Sequence, residues 1–258
     1  MPALVAITIT TTTMATTIPE IGAARPAAAA PLPRQAGRPA FVPPRPAMLR
    51  LMAWLSPAFP TGAFAYSHGL EWAVEASDIR DETTLHAWLQ DVVTHGSGRT
   101  DTIILRHAHC SASNRGALDA IAELAVASVA SRERRAEALN QGRAFVLAAQ
   151  PWGVPDLPED VPYAVAVGAT AGLHGVPEDD TAAAYLLAFT ANLISAAVRL
   201  VPLGQSAGLR VLAGLETLIV RTADDTKTAA LEDIGGCCFR SDLAAMRHET
   251  QYTRLFRS

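Results

Sequence analysis

From Met48 to the C-terminus, apolar residues recur in helix-length segments separated by capping residues, glycines and prolines, and nowhere do they alternate as in a strand. A period near 3.6 predicts helices with one buried face, whereas a half-buried sheet needs a period of two. Only 6% of the residues are aromatic, and the β-branched residues come in short clusters, which disfavours a sandwich or barrel. The pattern predicts an all-α fold, a single bundle of about eight to ten helices.

Capping residues and breakers indicate where these helices begin and end. Asp81, Asn114 and Ser131 are typical N-caps, and glycine or proline follows most of the apolar segments. One helix is expected to begin at Asp101, after the GSG sequence ends the helix before it. The other predicted helices span about 48–55, 66–77, 83–95, 114–130, 131–149, 162–173, 178–200, 206–222 and 241–249.

Residues 1–47 differ in composition from the rest of the chain. They hold nine of the 17 prolines, a run of threonine and alanine, and a single acidic residue, Glu20. Such a segment buries too little apolar area to offset the entropy of ordering. We expect a disordered leader or a start codon assigned too far upstream, with a transit peptide as the weaker alternative. The folded domain is expected to span residues 48–258.

The charge balance argues against several kinds of partner. The chain carries 21 basic and 25 acidic residues, and residues 1–47 contain four of the basic ones. The remaining body is therefore mildly acidic and has no long-range attraction for nucleic acid or anionic lipid. Residues 182–198 carry no charge and reach the lower limit of a membrane span, but Asn192 lies near their middle. We expect them to form the central helix of the bundle.

The cysteines and histidines do not identify a metal site. On a helix, His107 and Cys110 share a face while His109 points away, and a pair is too few because zinc and nickel need three or four ligands. We therefore assign no metal-binding residue. A metallochaperone that binds nickel directly is the alternative function, with the following candidate ligands: His107, Cys110, Cys237, Cys238 and His248. Three cysteines cannot form a disulfide framework, which indicates the cytoplasm.

No catalytic motif stands out in the sequence. It has no GxSxG, HExxH or P-loop, and no GxGxxG opens a helix. The run RERRAE at 132–137 places Glu133 and Glu137 one turn apart between arginines, which is typical of a solvated helix face. An all-α enzyme would need a polar pocket that the sequence does not reveal. We predict a protein that is not an enzyme and has no catalytic residue.

Two internal segments do not resemble ordinary core. The sequence SPAFPTGAFAYSHGLEWAVE (56–75) turns the chain at Pro60 and Gly62, and then presents the ring of Tyr66 and the carboxylate of Glu71. Arg199 interrupts an apolar helix close to its end. A cation is favourable there because the last carbonyl groups of a helix lack partners.

A third unusual segment, HETQYTRLFRS, closes the chain at 248–258. Its aromatic, leucine and arginine side chains have the composition of a peptide that docks on a partner: Tyr252, Arg254, Leu255, Phe256 and Arg257. Ordering these residues costs about 10 kcal/mol or more of backbone entropy, whereas burying three apolar side chains returns about 5–8 kcal/mol. We expect a tail that is mobile in the free protein and fixed in a complex.

These segments, with RLVPLGQSAGLRVL (199–212) between them, resemble the UreF family of urease accessory proteins. The similarity extends from about Leu49 to Ser258, and no counterpart is expected for residues 1–47. The resemblance implies an all-α, homodimeric protein that is not an enzyme and that joins the accessory protein UreD (also called UreH) and the GTPase UreG on apo-urease. In that assembly nickel is the cargo and UreG binds GTP, so we expect this chain to bind no cofactor by itself.

The resemblance also implies roles for single residues. Glu71 and Arg199 match positions implicated in communication with the GTPase. The tail, with Tyr66 as a hydrogen-bond partner for Arg254, matches the segment that orders when UreD binds. The implied partner-binding residues of the tail and its anchor are Tyr66, His248, Glu249, Tyr252, Arg254, Leu255, Phe256 and Arg257. The family's usual LPVGGFSYS is FPTGAFAYS here, so the loop keeps its backbone path only if Ala63 needs no positive φ.

Overall fold

The structure, a computed structural model, describes residues 46–258. Ten α-helices cover most of these residues, and none of the residues described lies in a strand. The helices are α1 (Pro46–Trp54), α2 (Leu70–Glu75), α3 (Glu82–His95), α4 (Ser97–Cys110), α5 (Arg115–Ala127), α6 (Arg132–Ala149), α7 (Tyr163–Leu173), α8 (Glu178–Leu200), α9 (Gln205–Asp225) and α10 (Phe239–His248). The predicted all-α fold is confirmed, and the number of helices lies within the expected range.

The predicted leader, residues 1–47, lies outside the described residues except for its last two. Its disorder and the domain boundary at residue 48 therefore stay predictions. The first described helix begins with Pro46. Proline is favourable at a first helical position because its missing N–H would have no partner there in any residue.

The predicted N-caps start their helices as expected. The side chain of Asp81 accepts a hydrogen bond from the N–H of Thr84 over 2.8 Å, and the Thr84 hydroxyl accepts one from the N–H of Asp81 over 3.1 Å. Asn114 and Ser131 cap α5 and α6 through their side-chain oxygens. Each cap satisfies an N–H group that has no partner inside the helix.

Two helix starts differ from the prediction. Helix α2 begins at Leu70 and not at residue 66, because His68 (φ 59°) and Gly69 (φ 76°) adopt the left-handed conformation just before it. Helix α4 begins at Ser97 and not at Asp101. Gly98 lies inside its first turn, where an added Cβ would come within 2.8 Å of the Cα of Val93. This glycine permits close packing on α3 and does not end a helix.

Helix α7 holds the central position, and residues 164–171 are all buried. An added Cβ at Gly168 or Gly172 would overlap a carbonyl oxygen of α4, so these glycines let the two backbones touch. Helix α8, expected at the centre, packs beside α4 and against α9. It is long and apolar enough to cross a membrane by length and composition alone, but 50% of its most apolar window is buried inside the fold. Its packing favours a core helix over a membrane span.

Candidate partner-binding site

The C-terminal tail, residues 249–258, lies against the segment 56–69, which we call the proline–glycine loop. Gly62 (φ 74°) and Gly69 (φ 76°) turn the backbone of this loop. Ala63 has no positive φ and begins a short 3-10 turn, Ala63–Ala65. The loop therefore needs its left-handed residue at Gly62, and the alanine that replaces the family's second glycine fits the path without strain.

Glu71, in the first turn of α2, binds the backbone of the tail. Its Oε1 accepts a hydrogen bond from the N–H of Leu255 over 2.7 Å, and its Oε2 accepts one from the N–H of Phe256 over 2.9 Å. The Nε2 of His248 lies 3.2 Å from the same Oε2. The residue is only 6% exposed. Its carboxylate thus holds the tail and does not face solvent.

The last two residues are fastened to the proline–glycine loop. The N–H of Arg257 donates to the carbonyl of Ala65, and the N–H of Ser67 donates to the carbonyl of Ser258, each over 2.8 Å. The hydroxyl of Ser67 donates to the same Ser258 oxygen. The hydroxyl of Ser258 donates to Oε2 of Glu137 over 2.7 Å. Ser258 is consequently buried, although it is the last residue of the chain.

His248, at the end of α10, connects two carboxylates. Its Nδ1 lies 2.6 Å from Oε2 of Glu133, while its Nε2 faces Glu71, and the side chain is fully buried. The ring of His248 therefore lies between the two carboxylates and links them. Arg254 adds a cation, because its Nη1 donates to Oε1 of Glu133 over 2.6 Å.

Glu137 forms the floor of the cluster, 2% exposed. Its burial would raise the pKa, but the guanidinium of Arg134 at 2.5 Å, the ring of His68 and the Ser258 hydroxyl outweigh this effect and lower the pKa of Glu137 to about 2. Burial, followed by the charge of Arg134, lowers the pKa of His68 to about 4. At neutral pH His68 is therefore uncharged, and its Nδ1 lies 2.6 Å from Nη1 of Arg134 and 2.9 Å from Oε1 of Glu137.

Arg199 contacts the tail from the opposite side. Its guanidinium carbon lies 4.4 Å from the centroid of the Phe256 ring, and its Nη2 donates to the carbonyl of Phe64 over 2.8 Å. The ring of Phe256 is 6% exposed. A cation above an aromatic ring contributes about 0.5–1 kcal/mol at a site open to solvent. Glu71 thus binds the backbone of Phe256, and Arg199 binds the ring of the same residue. The resemblance assigns Glu71 and Arg199 to one role.

In the single chain, Tyr66 and Arg254 form hydrogen bonds with other residues and not with each other. The Tyr66 hydroxyl accepts from the Nδ2 of Asn140 over 3.3 Å, and Arg254 binds Glu133 instead. A hydrogen bond between a guanidinium and a carboxylate is stronger than one to a neutral phenol, and the sequence did not show that Glu133 faces inward.

The tail of the single chain is bound to the body, which differs from the mobile tail that we expected. The sequence-based estimate counted three apolar side chains, yet Tyr252 and Leu255 are 103% and 76% exposed. The stabilisation that burial of these two side chains would have given comes instead from hydrogen bonds between the tail and buried acceptors. Glu249 adds another anchor, because its Oε1 accepts from the N–H of Arg132 at the start of α6 over 2.7 Å.

The run RERRAE is a solvated helix face only in part, since Arg132, Arg135 and Ala136 are exposed. Glu133 and Glu137 point into the cluster, and the side chain of Arg134 is almost buried between them. The one-turn spacing of the two glutamates was the available signal, since two carboxylates on one buried face require cationic or hydrogen-bonding partners. Glu137 pairs with Arg134 of the same run, and Glu133 pairs with Arg254 and the ring of His248.

The outer side of the docked tail is apolar and basic. We call it the tail surface and define it by five exposed residues: Phe64, Tyr252, Arg254, Leu255 and Arg257. Helix α10 continues it with an exposed apolar stripe at helical spacing, formed by Phe239, Leu243 and Met246. The carboxylates beneath are engaged with the tail or with Arg134. The arrangement therefore suits the holding and presentation of a peptide.

His107 and Cys110, two candidate ligands of the alternative metallochaperone function, turn to different partners. The Nε2 of His107 lies 3.0 Å from the carbonyl of Ala229, whereas Cys110 turns to Glu178 on α8. Cys237 is exposed and Cys238 is buried. His248, the remaining sequence candidate, belongs to the tail cluster.

Comparison with known proteins agrees with the resemblance. The UreF family profile matches residues 79–216. The chain is 51% identical to the urease accessory protein UreF of Bradyrhizobium sp. (strain BTAi1), covering 83% of this chain and 92% of that protein. It is 51% identical to UreF of Azorhizobium caulinodans, covering 83% and 96%.

A third relative, UreF of Rhodopseudomonas palustris (strain TIE-1), is 47% identical over 90% of this chain and 98% of its own length. Residues 48–258 make up less than 90% of the chain. The alignment therefore extends into the N-terminal segment, for which no counterpart was expected. The family profile and these identities over most of both chains carry one conclusion: the chain belongs to the UreF family of urease accessory proteins.

Proposed function

We propose that the protein acts in urease maturation as a scaffold that binds UreD (UreH) through its tail surface. The resulting assembly with UreG and apo-urease couples GTP hydrolysis to the insertion of nickel in the cytoplasm. Nickel is the cargo of this assembly, and UreG binds the GTP. Membership of the UreF family supports the role in maturation, since the relatives are urease accessory proteins.

The two-sided tail is the observation that carries the proposal. Its inner side is fixed by Glu71, Ser67 and Glu137, while Tyr252 and Leu255 are left exposed. Large apolar side chains that a rigid backbone presents to solvent are typical of the centre of a protein interface. Because the tail is already ordered, binding would not incur the entropic cost of ordering it.

The same geometry suggests how Glu71 and Arg199 would take part in the proposed GTPase regulation. Glu71 is buried and cannot meet UreG directly, and Arg199 stacks on Phe256. We infer that both are positioning residues, which act on the GTPase through the tail. The complex is proposed to hold two copies of this chain, and the exposed apolar side chains of Leu49 and Met52 on α1 offer a surface for the second copy.

Co-expression with UreD, UreG and apo-urease tests the proposal. We expect Leu255→Ala to weaken binding of UreD at least about fivefold in co-purification, because an exposed leucine at the centre of an interface contributes about 1–2 kcal/mol or more. The nickel content and activity of urease should fall in parallel. Leu147→Ala on α6 is the matched control, since Leu147 is 75% exposed but lies outside the tail surface. Equal co-purification of UreD by both variants would contradict the proposal.

A further inference from the structure

We propose that His109, Cys110 and Glu178 form a binding site for a divalent transition-metal ion of the zinc, nickel and cobalt class. The first two are the last residues of α4, and the third is the first residue of α8. One ring nitrogen, the thiol sulfur and one carboxylate oxygen all lie within 4.8 Å of one another. This site goes beyond the proposed scaffold function and does not depend on it.

The distances are close to those of a tetrahedral site. The Sγ of Cys110 and the Oε2 of Glu178 are 3.5 Å apart. Bonds of about 2.3 Å to sulfur and about 2.1 Å to oxygen place two such ligands about 3.6 Å apart in a tetrahedral arrangement. The two separations from the His109 ring nitrogen are at most 4.8 Å and need to shorten by about 1 Å, through small rotations of all three side chains.

A buried arginine orients the carboxylate. The Nη1 of Arg106 donates to Oε1 of Glu178 over 2.6 Å, which leaves Oε2 directed at Cys110. Arg106 is itself fixed, since its Nε donates to the hydroxyl of Thr226 and its Nη2 donates to the carbonyl of Ala223. Hydrogen bonds of this kind, made to the ligands and not to the ion, position the ligands of known metal sites.

A backbone carbonyl orients the imidazole in the same way. The Nε2 of His109 donates to the carbonyl of Val176 over 2.8 Å, which leaves the lone pair on Nδ1 for a metal ion. The C-terminal end of α4 rests directly on α7, because an added Cβ at Gly172 would overlap the His109 carbonyl. The ligands therefore project from rigid helices that do not need to move.

The donor set determines the class of ion. Sulfur with an imidazole nitrogen favours zinc, nickel or cobalt over magnesium and calcium, which prefer oxygen ligands alone. On binding, the Cys110 thiol releases its proton to solvent and coordinates as a thiolate. The thiolate and the Glu178 carboxylate together balance the charge of a divalent ion, and water completes the fourth position. Because one proton is released, affinity should rise with pH.

Cobalt(II) titration of the reduced full-length protein tests the site. We expect a near-ultraviolet band from thiolate-to-cobalt charge transfer that saturates at one ion per chain. Cys110→Ser should abolish the band. Glu178→Gln and His109→Ala should each weaken cobalt binding about 10-fold or more, because each removes one of three protein ligands.

Neighbouring residues provide matched controls. Cys237→Ser removes the other exposed cysteine, and His107→Ala removes a histidine two residues before His109 that binds a different carbonyl. Both variants should retain the band and the wild-type affinity. A wild-type protein without the band, or a band that survives in Cys110→Ser, would overturn the site. Co-purification with UreD is a separate measurement, so failure here would leave the scaffold function standing.

Discussion

At the scale of single residues, Glu71 shows how one buried acid can determine where a chain terminus lies. Two backbone N–H groups of the tail and the ring of His248 converge on its two oxygens. Each N–H would otherwise bind water. The carboxylate therefore fixes the position of the tail backbone, which contact with an apolar surface alone would not do. The two short bonds to a charged acceptor are each stronger than a bond to a neutral one.

Glu71→Gln should release the tail while the helices stay folded. The amide keeps one oxygen but turns an NH₂ group towards a second donor, so at least one hydrogen bond to a charged group is lost. Such a bond contributes about 1.5–3 kcal/mol, and we expect amide exchange at residues 255–258 to accelerate at least about 10-fold. Hydrogen–deuterium exchange with mass spectrometry measures this. Glu123→Gln, an exposed glutamate on α5, is the control, and tail protection equal in both variants would disprove the role of Glu71.

Asp101 makes the stability of the protein depend on pH. It is half-buried at the edge of a cavity of about 720 Å³, where Tyr185 donates to its Oδ2 over 3.3 Å. Burial raises the pKa of Asp101 to about 6 from the model-peptide value of 3.8. Between these two pKa values the folded protein binds the proton and the unfolded chain does not, so this group's contribution to stability decreases as pH rises from about 4 to about 6.

Asp101→Asn should therefore raise the melting temperature at pH 8 (~2 units above the folded-state pKa) more than at pH 4.5 (~1.5 units below it). The amide removes the cost of a buried charge, which corresponds to at most about 3 kcal/mol at high pH. Thermal unfolding followed by circular dichroism at both pH values measures the difference. Asp224→Asn, at an exposed position on α9, should show no such pH dependence, and an equal shift for Asp101→Asn at both pH values would refute the assignment.

At the scale of secondary-structure elements, local signals predicted most of the fold. Asp81, Asn114 and Ser131 cap their helices as expected because a cap depends only on its own turn. Gly98 was misinterpreted because its role depends on contact with another helix, and no local pattern records that contact. The position of α7 at the centre was likewise not predictable, since α8 has the longer apolar run.

The contact between α4 and α7 should be among the least tolerant of change. Gly168→Ala would place a Cβ on the carbonyl oxygen of Leu105, and relief of this overlap requires the two central helices to separate. We expect a loss of about 2–3 kcal/mol or more in the free energy of unfolding, measured by urea denaturation. Gly116→Ala on α5 is the matched control, because its new Cβ would meet only the Asn114 side chain at 3.8 Å. Alanine is the better helix former, so that variant should be neutral or more stable.

At the scale of the whole molecule, the sequence revealed the parts of the site but not their connections. The proline–glycine loop, Arg199 and the tail were recognised separately from composition, and the structure brings all three together at Phe256. The contribution of α6 was missed, because a polar helix face has the same sequence whether it meets water or a buried partner. The role of Glu133 became visible only when His248 and Arg254 were placed opposite it, and that of Glu137 only when Ser258 was.

Substitutions on the inner and outer sides of the tail should have different effects on docking of the tail and on binding of UreD. Phe256→Ala removes the ring that Arg199 covers, so we expect it to release the tail and abolish co-purification of UreD. Leu255→Ala removes a side chain that faces solvent while its N–H stays on Glu71, so tail protection should remain and only UreD binding should be lost. Amide exchange at 255–258 and co-purification, measured on both variants, distinguish the cases. If Leu255→Ala released the tail as fully as Phe256→Ala, the two-sided arrangement would be wrong, because its outer side chain would then be part of the anchor.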